Sequence, residues 1–568
     1  MNRNHLIILF FIIIFCGLFY LKFHKNYTPI RQKLSVNTNE EIQSEIKTNA
    51  KKQKPLLISP TNIPGISSTN KNFSQLNIIT NKISNSPYIE GELILRVSND
   101  AVMKKLESQL EEKGISVLRR VDQLGLIRVK LPDGMKADEM KKILSEMDDI
   151  KETLPNVKTK VPKNVNNIPM FDNGKPITAV SKNGNELLKN TDPAVRAELG
   201  NNVIVALLDT GVDDTHPDLT EKTLQGYNFV DDNAITSDKN SHGTACAGII
   251  IGNGKNPDSA RGIAPAAYLL PVKVMDDNGK GNSFAVIEGI VYAVDRGAKI
   301  INLSIGTDAD SKILREAIDY AIKKGAVVIA AAGNDGEEKT LLPAGYQDVI
   351  CVGAIDGSKN HAPFSNYGDK NDVVAPGVAV YTTAPEGGYK SFTGTSAATP
   401  FVSGAVAALL SQNSHISPAE AMDMVLNRTD NLGPANRDIL FGNGIVNVKR
   451  LLEKEGDSVY DAALTTLYFE PANLVPGSDV KVHFVIQNQG NRTISFGKFL
   501  YEIGEEKNDI SIKKLNVGEC EDITLPWTVP LKKPQKEMKI QGYFKIGEAD
   551  DEPKDNGQAV ILQRADWQ

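Results

Sequence analysis

Apolar and polar positions change rhythm several times along the chain, and each rhythm predicts a different kind of structure. Leu6 to Leu21 is an unbroken apolar run, preceded by Arg3 and followed by Lys22, His24 and Lys25. Such a run, over residues 1–25, reads as an export signal that is either cleaved or kept as a membrane anchor. Residues 26–87 are rich in Asn, Ser, Thr, Lys, Ile and Pro without any sustained period, the composition of a disordered tether. Order is predicted from Tyr88 onward. "GELILRV" reads as a strand, and Val102, Leu106 and Leu110 then recur at helical spacing behind Asn99, a helix cap. "ISVLRRV" and "GLIRVKL" follow as strands, Met140, Ile143, Leu144 and Met147 mark a second helix, and "IKETLPN" is a last strand. The order is βαββαβ, a small ferredoxin-like domain over 88–157.

Beyond residue 185 the rhythm changes again. "NVIVALLDTG", "AKIINLSIG", "AVVIAAAGN" and "DVICVGAI" are continuous runs rich in β-branched residues, the mark of strands buried on both faces. Between two of them Leu314, Ala317, Ile318, Ala321 and Ile322 share one helical face, and Gly325 stops the helix. Alternating strands and helices predict an α/β domain with a mostly parallel sheet flanked by helices. Chemistry in such a sheet gathers beyond the carboxyl ends of its strands. After Leu452 the pattern turns all-β: "DVKVHFVIQNQG" alternates, "ITLPWTVP" is strand-like, and an immunoglobulin-like β-sandwich is predicted over 457–568.

With 568 residues there is room for two or three cores, and 41% apolar with 24% charged content suits folded, soluble material. A net charge of −6 without a basic stripe argues against nucleic acid as a partner. Cys16, Cys246, Cys351 and Cys520 lack metal-ligand spacing and do not form a disulfide framework.

The strand-end rule selects Asp209, which is followed by Thr210 and Gly211. As "DTG" it is half of an aspartic-protease pair, an acid that orients a histidine, or a turn residue; no second DTG or DSG occurs in the chain. His242 opens "HGTACAGIII", a small-residue helical stretch. Ser396, in "GTSAATPFVSGAVAALL", stands at a helix start behind Gly394, where unpaired N–H groups suit a developing anion. A capping role for Thr393, Thr395 or Ser396 is the alternative.

Asp209, His242 and Ser396 follow one another in the order of the subtilisin type of nucleophilic triad. Through "VALLDTGVDDTHPDL", "SHGTACAG" and "GTSAATPFVSG", the region 191–452 resembles the subtilisin-like serine proteases, the subtilases. A fourth segment, "VVIAAAGNDG", corresponds to the family's oxyanion-hole strand and includes Gly333 and Asn334. The resemblance implies that Ser396 is the nucleophile, His242 the general base and acid, Asp209 its orienting partner and Asn334 an oxyanion donor. It also implies that an extended peptide is sandwiched between "LSIG", with Ser304, Ile305 and Gly306, and "DDNGKGNS", with Gly279 and Gly281, while Gly333 lines the cleft beside Asn334. No cofactor is needed for that chemistry. Asp218, in "HPDL", matches a family calcium ligand, although the partner loop "GNGKNPDSARG" is divergent, so a structural calcium becomes an expectation to test. Cys246 lies one turn beyond His242, as in thiol-containing relatives.

Subtilases are commonly made as zymogens, so residues 88–157 are expected to be an inhibitory prodomain, with the processing site somewhere in 158–190. The C-terminal sandwich resembles the bacterial surface domain called CARDB, and its acidic stretch at 548–556 has the composition of a calcium-binding loop or of a solvated one. The expected protein is a monomeric serine endopeptidase, exported and then secreted or anchored in the membrane by its N-terminal segment. Its partners would be protein or peptide substrates and its own prodomain. The competing reading is a catalytically silent surface scaffold on a protease fold.

Overall fold

A computed structural model describes residues 86–163 and 193–562, apart from positions 99, 257, 455, 473 and 532–537, and adds position 165 and one pair of two-residue strands, Phe171–Asp172 and Lys175–Pro176. The apolar N-terminal run, nearly all of the tether, the Asn99 cap and most of the processing linker lie outside the described residues. Among the described residues no helix is long and apolar enough to cross a membrane.

The first region pairs strands β1 (Tyr88–Val97), β2 (Ser116–Val121), β3 (Leu126–Lys130) and β4 (Ile150–Lys160) in the order β4-β1-β3-β2, with helices α1 (Asp100–Glu112) and α2 (Ala137–Leu144). Alternation along β1 and β3 sends Leu93, Leu95, Ile127 and Val129 toward Leu106, Leu110, Met140 and Leu144, which form this region's core. Helix α2 is shorter than its apolar spacing suggested: Met147 falls in the following turn, and Ile143 is 37% exposed. Strand β4 is longer than predicted and runs to Lys160 because its last residues find a hydrogen-bonding partner outside their own region.

That partner belongs to the second region, whose nine-stranded sheet contains β5 (Ile204–Asp209), flanked by β6 (Tyr268–Lys273) and β7 (Ile300–Leu303). Beyond β7 come β8 (Val327–Ala331), β9 (Ile350–Ile355) and β10 (Val373–Pro376), all parallel. These strands are buried on both faces, which is why their sequences are unbroken apolar runs. Helices α3 (His242–Ile251) and α6 (Thr395–Gln412) contribute to the core on one face, α4 (Ser283–Asp295) and α5 (Lys312–Lys323) to that on the other. Helix α5 buries Leu314, Ala317, Ile318 and Ala321 and is capped by the Ser311 hydroxyl.

The third region is a sandwich of a three-stranded and a four-stranded antiparallel sheet between Ala462 and Leu562. Phe484, Phe499, Ile540 and Phe544 fill the space between its sheets.

Candidate functional site

Strand β5 ends at Asp209, and the segment that returns from it leads through Asp238 into α3, so an acid and His242 meet at the sheet's carboxyl edge. The fully buried Asp209 accepts a 2.8 Å hydrogen bond at Oδ1 from His242 Nδ1 and a 2.7 Å bond from the Thr210 N–H. With Nδ1 bearing the proton toward a carboxylate, Nε2 of the neutral ring is left as an acceptor. The Phe392 ring meets the imidazole edge to face at 5.2 Å.

Sequence reasoning missed Asp238, which holds this geometry. Its carboxylate accepts from Thr210 Oγ1, from the Asn240 and Ser241 N–H groups, and from the N–H and hydroxyl of Thr244. It thereby caps the first turn of α3 and ties it to the end of β5. Its available signal was an acid a few residues ahead of a helical run.

Ser396 is the second residue of α6, 2% exposed, with its hydroxyl donating to the Ser304 carbonyl at 3.2 Å. Gly394 precedes it at φ 147°, and a Cβ there would stand 2.8 Å from Asn334 Nδ2. Only glycine lets the helix start approach that amide so closely. Thr395, expected as packing or cap, orients Asn334 instead: its N–H and its hydroxyl each donate to Asn334 Oδ1 at 2.8 Å. The Gly333 N–H in turn donates to Thr395 Oγ1. With Oδ1 held by Thr395, the Asn334 amide nitrogen points past Gly394 into the cleft.

What meets it there is the protein's own chain. Asn334 Nδ2 donates to the Lys163 carbonyl at 3.0 Å. Upstream, Lys158, Thr159 and Lys160 pair antiparallel with Asn282, Gly281 and Lys280. On its other edge Lys160 exchanges two backbone hydrogen bonds with Gly306, and Val161 N–H donates to the Gly279 carbonyl at 2.9 Å. The tail of β4 is thus the middle strand of three. Gly279 is in the left-handed region at φ 70°, and a Cβ there would lie 2.5 Å from Val161 Cγ2. Of the other residues expected to hold peptide, Ile305 turns its side chain into the core, and Ser304 faces Ser396 through both its carbonyl and its hydroxyl. Between the tail and the site lies a cavity of about 330 Å³ lined by Lys163, His242, Asn334, Lys390, Phe392 and Ser396, among others. Burial lowers the Lys390 ammonium below its ordinary range, and its Nζ donates to Ser241 Oγ.

Asp218, expected as a calcium ligand, accepts hydrogen bonds from Ser259 Oγ, the Ala260 N–H and Tyr389 OH. Of these only the Ala260 N–H is a donor alone; the two hydroxyls keep lone pairs of their own. The thiol of Cys246 lies with the ligand atoms of Asp209 and His242 inside 4.8 Å and donates to the Ser396 carbonyl. Burial raises it well above an ordinary thiol, so it is not a thiolate nucleophile.

Comparison with known proteins adds the following. Residues 200–444 match the subtilase family, and residues 75–156 match a family described as the fervidolysin N-terminal prodomain. A thermophilic serine proteinase of Bacillus sp. (strain AK1) is 44% identical over 230 residues, 40% of this chain and 57% of that protein. Thermitase of Thermoactinomyces vulgaris is 43% identical over 222 residues, 39% of this chain and 80% of that protein. The structure of fervidolysin from Fervidobacterium pennivorans, described as a keratinolytic enzyme related to subtilisin, aligns with TM-score 0.57 at 24% identity, covering 85% of this chain and 77% of that one. At that identity the likeness is one of fold.

Proposed function

Because the chain belongs to the subtilase family and carries a fervidolysin-like prodomain, we propose that it is an exported serine endopeptidase that cuts its own prodomain away at the bond following Lys163. In this reading the Ser396 hydroxyl attacks the scissile carbonyl carbon. His242 Nε2 takes the hydroxyl proton and later returns it to the leaving amine, while Asp209 fixes the imidazole tautomer and stabilises the imidazolium. The Asn334 amide and the Ser396 N–H bind the oxyanion. Water then releases the acyl-enzyme by the same steps.

The single observation that carries this reading is the Lys163 carbonyl on the Asn334 amide, at the end of a tail strand-paired on both sides. Backbone pairing of this kind tolerates many side chains, which suits a broad endopeptidase acting on proteins and peptides. Export rests on the apolar run at Leu6–Leu21 and its flanking cations. The likeness of the C-terminal sandwich to CARDB, and a role for it at the cell surface, belong to the same proposal.

Intact mass, N-terminal sequencing and fluorophosphonate labelling of wild type beside Ser396→Ala test it. Wild type should label and yield a new terminus at Asn164. Ser396→Ala should stay uncut and lose about 10⁴- to 10⁶-fold in peptide turnover. A wild type that neither labels nor turns over peptide after an added protease has removed the prodomain would leave the scaffold reading in its place.

A further inference from the structure

The junction between the protease region and the sandwich gathers side-chain oxygens that have no hydrogen-bond partner among the described residues. Two contacts press the loop 548–556 against residues 460–462: the Asp551 N–H donates to the Tyr460 carbonyl at 2.7 Å, and the Ala462 N–H to Asp550 Oδ2 at 3.3 Å. Asp461, between those two positions, is 5% exposed, and its Oδ1 has no hydrogen-bond partner among the described residues. Asn556 is 1% exposed. Its amide nitrogen is spent on the Phe544 carbonyl and on Asp550 Oδ2, which fixes the amide's orientation and leaves the carbonyl oxygen Oδ1 buried and unbonded. Asp555 Oδ1 is buried in the same condition. Around them stand Asp430 and Lys449 of the protease region, with Asp550, Asp551 and Glu552. The local cations are engaged at the rim: Lys449 with Asp551 and Glu552, and Arg450 with Asp430.

A buried Asp461 with a half-buried Asp555 nearby, each with a buried carboxylate oxygen that has no partner among the described residues, is costly unless something positive joins them. The unmet oxygens are two carboxylate atoms and one amide carbonyl, all hard acceptors, with neither nitrogen nor sulfur among them. That donor set suits calcium, which accepts irregular oxygen cages at about 2.3–2.6 Å, better than zinc or magnesium.

We propose that Asp461, Asp555 and Asn556 bind one calcium ion, with Asp550 holding the Asn556 amide in place, and that this ion fixes the loop 548–556 against the start of the sandwich's first strand. From the protease side Asp430 adds negative charge, while Lys449 pairs with Asp551 and Glu552 of the same loop. The acid-rich loop in the sequence is then a ligand loop.

Hydrogen exchange on the full-length Ser396→Ala protein, stripped with chelator at pH 8 and then titrated with Ca²⁺, tests the site locally. Amides of residues 460–464 and 548–556 should gain protection by about tenfold or more, and Asp461→Asn with Asp555→Asn should abolish that gain. Asp551→Asn, at the Lys449 rim, should retain it. If Ca²⁺ leaves these amides unchanged while lowering the pH from 8 to 6 protects them, the carboxyls hold protons instead and the proposal fails. Should the double variant not fold, the titration of the parent protein decides alone.

Discussion

The protease region carries a neighbour at each end, and the two contacts are built on opposite electrostatic plans. Toward the prodomain, charges meet their opposites. Arg119 pairs with Glu288, which is nearly buried, and with Asp232; Arg96 pairs with Glu316; Lys312 with Glu152; and Lys160 with Asp308. Asn156, also buried, accepts from the Ser283 hydroxyl and the Phe284 N–H at the start of α4. Toward the sandwich, Lys449 pairs with Asp551 and Glu552 at the rim, but behind it Asp430, Asp461, Asp550 and Asp555 crowd together with like sign. Paired charges make a contact complete in itself, and each half can return to water once the connecting chain is cut. Like charges make a contact conditional on something else, a proton or a cation.

The prodomain contact divides again. Its tail is held by backbone groups and its sheet face by specific side chains, so changes in the two places should separate catalysis from inhibition. The largest effect is expected at Asn334→Ala, which removes an oxyanion donor and should lower kcat, and the rate of prodomain cleavage, by about 10²–10³. Steady-state turnover and the appearance of the cut product should fall together; a fall in only one would separate the tail from the substrate path. Next is Arg119→Ala. Leaving the Glu288 carboxylate buried without its partner costs about 2–5 kcal/mol, which weakens inhibition by added prodomain about 30-fold or more. The mature enzyme's turnover should not change, since Arg119 is on the prodomain. Inhibition titrations against wild-type protease read this directly.

Thr395→Val retains the helix start but loses both bonds of the hydroxyl, the one it donates to Asn334 Oδ1 and the one it accepts from the Gly333 N–H. We expect kcat to fall about tenfold or more with KM little changed, consistent with two hydrogen bonds of about 1 kcal/mol each. The smallest effect concerns the other contact and has a definite sign. Asp461 and Asp555 are raised to about 7 and about 8 in the folded protein, above the ordinary carboxyl value of about 3.9. Their contribution to stability is therefore greatest in acid and is lost as pH rises through 7 and 8. In chelator, melting of the C-terminal region should drop by a few degrees between pH 6 and pH 9. Calcium should flatten that slope, and an equal slope with and without calcium would count against a bound cation.

The hydrogen-bonded pair Asp209–His242 and the placing of Ser396 at a helix start were legible because local rules write them into short motifs. An acid at a strand end, a histidine opening a small-residue helix and a serine behind glycine at a helix start each carry their own signal. Thr395 was read as a cap because its partner, Asn334, is remote in sequence.

By itself, then, the sequence determined the order of the three regions, the buried strands and the residues of the cleft, since periodicity and turn chemistry act over a few neighbouring positions. Only the tertiary structure decided that Lys163 is the residue whose carbonyl meets Asn334, that β4 gains three residues by pairing with 280–282, and that Asp461 and Asp555 share one buried junction. Each of these depends on two segments far apart in the chain being brought together, and on which hydrogen-bonding groups are left unmet when they are.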